Sequence, residues 1–196
     1  MTETDGRRLR AVRTREAIIE AVLSLVDSGE LTPTVPQIAE RAGISERSIR
    51  QHFATREAVL LAGAARHAER AARLHAPPLA KGTFDARAEA FVEARVAYLE
   101  ATAGVRRAAM MHADEWPILR SAIRALSAER RNEVEIAFAP ELDKLDTLEH
   151  RRSRLEALHI AASGAIWDAL RRDLGLSRDA ARGQFAATLR ALARSR

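Results

Sequence analysis

The sequence predicts an all-α protein, and three observations carry that expectation. Ala, Leu, Arg and Glu, all strong helix formers, dominate the 196 residues, whereas Gly (9) and Pro (6) are scarce. Apolar residues recur at helical spacing in one segment after another. No segment shows the two-residue alternation of a half-buried strand. A content of 47% hydrophobic and 30% charged residues belongs to a globular chain rather than a disordered one.

The elements follow in order. Residues 1–9 read as a polar, basic, flexible arm. A first helix is expected from about Arg10 to Ser28, because Ala17, Ile18, Ala21, Val22, Leu25 and Val26 share one face and Gly29 provides a stop. Pro33 and Pro36 bracket the next start, with Thr34 or Val35 as its cap. Pro36 falls in the first turn, where a missing amide costs no intrahelical bond. This short helix ends near Arg41, and Ala42, Gly43 and Ile44 form a tight turn. Ser45 caps a third helix from Glu46 to about Phe53. Thr55 caps a fourth that reaches about His75, with Glu57 in its first turn, where a negative charge suits the helix dipole. A break is expected from Ala76-Pro77-Pro78 through Lys81-Gly82. Five further helices are expected near 85–102, 105–112, 117–138, 147–174 and 178–193, divided by Gly104, Asp114, Pro140 and Gly175. The sum is about nine helices. They are expected to form a small three-helix domain over 10–55 and a helical domain over 56–196.

Composition excludes several function classes. The absence of cysteine removes disulfides, thiolate catalysis and cysteine-ligated zinc, and agrees with a reducing cytoplasm, the expected location. The basic N-terminus lacks the apolar stretch of a secretory signal. The longest apolar run, Ala157 to Trp167, is interrupted by His159, Ser163 and Gly164, so no span is expected. His112, Asp114 and Glu115 lie close together, and His67 and His75 flank a helix end, but no two histidines stand four apart on one helix face. Neither a glycine-rich phosphate loop nor a nucleophile elbow is present. No catalytic residue, metal or cofactor is therefore expected; His112 reads as a helix end.

The formal net charge of +5 favours a polyanionic partner. Its distribution does not. From Met1 to Glu57 nine arginines face nine carboxylates. Any nucleic-acid contact must come from local clustering and a motif.

Thr34 to Phe53 supplies the motif. Two short helices crossing through a tight turn need a small residue at the crossing, here Ala39. They also need a residue tolerant of left-handed backbone, here Gly43. Ile38, Ala42, Ile44 and Ile49 fall where the crossing must be buried, and Ser45 caps the second helix. An ordinary helical hairpin would not require all of these together.

From about Thr14 to Leu61 the chain resembles the N-terminal domain of the TetR family of bacterial repressors. The residues that carry the resemblance are the first helix ending in Gly29, then Thr34-Val35, Ile38-Ala39, Ala42-Gly43-Ile44-Ser45, His52-Phe53, and Glu57 before Leu60. They cover about a quarter of the chain; the later helices resemble the family only in number, length and order. The resemblance implies that the second helix of the motif enters the major groove of DNA. Glu46, Arg47, Ser48, Arg50 and Gln51 would then contact bases or phosphates, with Arg47 the preferred base reader because a guanidinium bonds O6 and N7 of guanine together. It further implies phosphate contacts from Thr34, Ser45 and His52, and from Arg56, where the family commonly has lysine. Arg7, Arg8, Arg10, Arg13 and Arg15 would trail along the backbone or a minor groove. Arg50 departs from the family's usual aromatic residue, which puts sequence preference in doubt. Phe53 is expected in the core. The competing reading of any one arginine is a solvated charge.

One short recognition helix touches few base pairs, so two copies about one DNA turn apart, ~34–36 Å, are expected on a palindromic site. Ala181, Phe185, Thr188, Leu189 and Leu192 make an apolar stripe on the last helix. Small residues before it, including Ala161 and Ala165, permit close helix approach. These are the expected homodimer surface, against the alternative that both faces pack into the protein's own core. The resemblance also implies a small-molecule effector in the C-terminal part, with an apolar or aromatic one the expectation. Phe91, Tyr98, Met110, Met111, Trp116, Phe138 and Trp167 are the candidate lining, Trp116 foremost, each with core packing as the alternative. The function so implied is that of a ligand-released repressor. A non-specific or architectural DNA binder is the rival reading, and an activator would differ only in where its site lies.

Overall fold

The computed structural model describes residues 3–74 and 81–194. Every element among them is helical: α1 (Glu3–Asp27), α2 (Val35–Ala42), α3 (Glu46–His52), α4 (Arg56–Leu74), α5 (Phe84–Ala101), α6 (Ala103–His112), α7 (Pro117–Leu142), α8 (Leu148–Ala161), α9 (Gly164–Asp168, running on into a π-helical turn over Ala169–Asp173) and α10 (Arg178–Arg194). None of these helices is long and apolar enough to cross a membrane. The expected break at 76–80 lies outside the described residues.

All nine expected helices are present in order, with four local differences. Helix α1 starts at Glu3, so residues 3–9 continue the helix instead of forming an arm; Arg7, Arg8, Leu9 and Arg10 are good helix formers, and one glycine does not outweigh them. Gly104 lies inside α6. A Cβ there would meet the Val26 carbonyl oxygen at 3.1 Å, so this glycine serves close packing on α1 rather than helix termination. Pro140 lies in the last turn of α7, which continues to Leu142. The helix expected over 147–174 is interrupted at Ala162-Ser163, where the Ser163 side chain accepts from the Ile166 amide and starts α9. The break is satisfied from outside: Arg95 Nη1 donates to the Ala162 carbonyl at 3.5 Å.

The chain divides into two compact units, one of residues 1–73 with 104–119, the other of 74–103 with 120–196. The expected boundary at 55/56 is not followed, for a physical reason. Val59 and Leu60 of α4 share one core with Ile18, Ile19, Val22 and Val26 of α1 and with Ile38, Ile49 and Phe53. Val105, Ala108 and Trp116, far along the chain, pack against the same core. Two ion pairs also tie α4 to α1: Arg66 holds the Glu16 carboxylate with both terminal nitrogens, at 2.5 and 2.7 Å, and Arg70 holds Glu20 at 2.5 Å.

In the second unit α10 packs on α5 and α8. Phe91 meets Phe138 edge-on at 5.4 Å, and Trp167 meets Phe185 at 5.6 Å. Two buried arginines cross the unit. Arg87 clasps Glu141 at 2.6 and 2.7 Å and donates to the Ala137 carbonyl, and Arg95 reaches Glu133 at 2.8 Å. Burial lowers the Arg95 pKa to about 10 against the pull of Glu133, and the guanidinium stays charged at neutral pH.

Candidate nucleic-acid interface

The α2–turn–α3 segment is assembled by local chemistry. Thr34 caps α2, accepting from the Gln37 amide at 3.4 Å, while the Gln37 side chain returns a bond to the Thr34 amide at 2.8 Å. Helix α2 ends where Gly43 turns left-handed at φ 66°, a conformation that costs other residues about 1–2 kcal/mol. Ser45 then caps α3 by accepting from the Ser48 amide at 3.2 Å. Ile38 and Ile49 are fully buried, and Ala39 lies at the crossing. Phe53 ends α3 and is buried, as expected of a core residue.

With Ile49 and Phe53 facing inward, the outer face of α3 is fixed. Arg47, Arg50, Gln51, Thr34 and Ser45 are exposed; Glu46, Ser48, His52 and Arg56 are half-buried. The nine residues singled out from the sequence therefore fall on α3 and at the two helix starts beside it. They are not equally free. The Arg47 side chain has no hydrogen bond or ion pair with another described residue. Arg50 pairs with Glu46 one turn back at 2.7 Å, with both carboxylate and guanidinium open to solvent, a bond that water and salt weaken. Arg56 Nε donates to the Pro33 carbonyl at 2.8 Å and so ties the start of α4 to the entrance of α2. Thr34 spends its hydroxyl twice, as the cap acceptor and as donor to Gln37 Oε1. Ser45 only accepts, which leaves its O–H for a partner.

Arg15 is not a trailing cation. Its guanidinium lies 4.1 Å from the Phe53 ring centre and donates to the His52 carbonyl at 3.2 Å, clamping α1 to the end of α3. Arg7, Arg8, Arg10 and Arg13 are exposed on the N-terminal half of α1. The pairs Arg66–Glu16 and Arg70–Glu20 had no sequence signal, because their partners stand 50 residues apart. Arg66 holds the Glu16 carboxyl below its usual range through a direct hydrogen bond.

The residues expected to line an effector pocket do not gather. Phe91, Tyr98, Phe138 and Trp167 are buried in the core of the second unit, with Trp167 Nε1 donating to Glu100 at 2.8 Å. Met110 and Met111 are 59% and 57% exposed in the first unit. Trp116 lines an apolar crevice of about 40 Å³ among α1, α4 and α6. A larger open groove of about 780 Å³ in the second unit is edged by Phe84, Glu141, Lys144 and His150 and includes none of the expected residues.

The expected dimer stripe is also displaced. Ala181, Phe185 and Leu189 are at most 1% exposed, and Ala161 is buried, all within their own unit; Thr188 and Leu192 are half-buried. Of that set Ala165 alone is exposed. On α10 the outward face carries Ala180, Gln184, Ala187 and Ala191 instead.

Among the described residues no three His, Asp or Glu side chains are grouped as a metal site. Compared with known protein families, with curated proteins and with solved structures, the chain matches none.

Proposed function

We propose that this protein is a sequence-specific DNA-binding transcriptional regulator of the TetR type, acting as a homodimer on a palindromic site and released by a small molecule. One observation carries the reading. Helix α3 is capped, packed on one face, and turned outward with an exposed Arg47 that no other described residue engages. A guanidinium without an internal partner pays no exchange cost on meeting a guanine edge. Arg50 reaches DNA only by leaving Glu46, which makes it the weaker reader of the two. Thr34 must give up Gln37 to hold a phosphate, so Ser45 is the better phosphate donor.

Pairing of two copies rests on the size of the recognition surface, since one seven-residue helix reads too few bases for a genome. With the apolar stripe of α10 taken up internally, the second copy is assigned to the outward faces of α10 and α8. There Ala187 and Ala191 are small and exposed, and Ile160 is 60% exposed. The exposed arginines of α1 favour a second reading, non-specific binding to the phosphate backbone.

Selection of bound duplexes from random DNA separates the two. A two-fold symmetric motif that Arg47→Ala weakens by about 1–3 kcal/mol is the expected result. Binding without a motif, lost steeply with salt, would establish the non-specific reading in its place.

A further inference from the structure

We infer that the crevice among α1, α4 and α6 binds a small, neutral aromatic alcohol of the phenol class, whose hydroxyl meets His112, and that its entry weakens DNA binding by the same unit. The regulatory half rests on the reading of α3 as the DNA-contacting helix.

The lining is apolar, with Val22 and Val26 of α1, Leu60 and Ala64 of α4, and Ala108 of α6 among its walls. His112 is the exception. It is 9% exposed, and neither ring nitrogen has a hydrogen-bond partner among the described residues. The nearest carboxylate oxygen, on Glu115, lies 3.6 Å from Nδ1, beyond hydrogen-bond reach. A neutral imidazole offers one donor and one acceptor, and a hydroxyl satisfies either. The ring of Trp116 lies parallel to that of His112, 4.4 Å away and tilted by 4°, so the polar group is set beside a flat aromatic wall. The exposed Glu115 carboxylate disfavours an anion at the same nitrogen. Those features select a ring with one uncharged hydroxyl.

Size supplies the coupling. The crevice, about 40 Å³, holds little more than a few water-sized molecules, while a benzene-sized guest needs a cavity of about 150 Å³. A phenol therefore enters only by moving α4 or α6 away from α1. The packing there has no slack: a Cβ on Gly63 of α4 would lie 2.9 Å from Val22 Cγ1. Helix α1 is packed in turn on α2 and α3 and clamped to the end of α3 by Arg15. A guest in the crevice thus favours an arrangement in which α3 is seated differently, and DNA and guest oppose each other reciprocally.

The test uses the full chain with 4-fluorophenol and fluorobenzene as probes, observed by fluorine NMR. Saturable binding of 4-fluorophenol is expected, about tenfold tighter than fluorobenzene, the worth of one hydrogen bond to a buried group. His112→Phe should bring the two probes level, its folding checked by thermal melting. Equal binding of both probes to the unaltered protein, or no saturable binding of either, overturns the site without recourse to any variant. Saturating 4-fluorophenol should also weaken binding to a selected DNA motif by about 5-fold or more. Motif binding that 4-fluorophenol leaves unchanged overturns the coupling and leaves the DNA reading intact. His112-dependent 4-fluorophenol binding in a chain that selects no motif does the reverse: it retains the site and overturns the regulator.

Discussion

Gly63 shows how much a single residue can decide. In the middle of α4, alanine would ordinarily be preferred over glycine by about 1 kcal/mol. Here its added methyl would press on Val22 Cγ1 at 2.9 Å, a β-branched neighbour with little rotamer freedom. Overpacking of that kind costs about 1–3 kcal/mol, and so outweighs the propensity gain. Gly63→Ala is therefore expected to lower the unfolding midpoint in urea. In a Val22→Ala background, where the obstructing methyl is gone, the same change should become neutral or stabilising. Equal effects in both backgrounds would show that the two helices are not in tight contact at this point. Other single residues divide into those readable beforehand and those not. Phe53 was legible as core because it ends a short amphipathic helix beside a capped start. Arg15 was not, because its partners, the His52 carbonyl and the Phe53 ring, lie 37 and 38 positions away and nothing in local spacing announces them. His112 and Trp116 stand four apart, a spacing that could have suggested stacked rings, yet the pair also reads as an ordinary helix end.

At the scale of the element, the α2–turn–α3 segment was legible almost residue by residue, since capping and turn chemistry are local. The two devices that hold it act with different strength. Ser45→Ala removes one capping bond and should cost about 1 kcal/mol. Gly43→Ala forces an L side chain to φ 66° and should cost about 1–2 kcal/mol, although nothing would lie within 4 Å of its Cβ. Strain, not contact, is the cause, so Gly43→Asn should recover part of the loss. A Gly43→Asn variant no better than Gly43→Ala would remove the left-handed turn from the explanation. Where the elements were misjudged, punctuation residues misled. Gly104 and Pro140 were taken as stops, yet Gly104 is spent on close approach to α1 and Pro140 falls in the last turn of α7. The real break at Ala162-Ser163 is written only in a Ser-Gly pair inside an apolar run, with Arg95 arriving from a distant part of the sequence to satisfy it.

For the whole molecule, periodicity states that a face is buried but not what buries it. The stripe of Ala181, Phe185 and Leu189 was legible as apolar; that α5 and α8 of the same unit cover it was not. The same holds for Phe91, Phe138 and Trp167, whose size suits a pocket as well as a core. Burial also sets how the fold answers to pH, through one histidine in each unit. Desolvation lowers the pKa of His67 on α4, with Arg70 adding to the effect and Asp27 opposing it. Desolvation likewise lowers that of His159 on α8, with Arg95 and Arg131 adding and Glu156 opposing. Both folded sites hold the proton less well than the unfolded chain, whose histidines titrate near about 6.5. As pH falls below that value the unfolded state takes up protons that the folded state refuses, and stability declines until the lowered folded values are passed. Glu16, held down by Arg66, acts in the same direction but only in the carboxylate range, well below this window. The urea midpoint should therefore fall between pH 7.5 and 5.5, and His67→Gln and His159→Gln should each flatten the decline. A midpoint that holds or rises toward pH 5.5 would mean that neither imidazole is kept neutral by its burial.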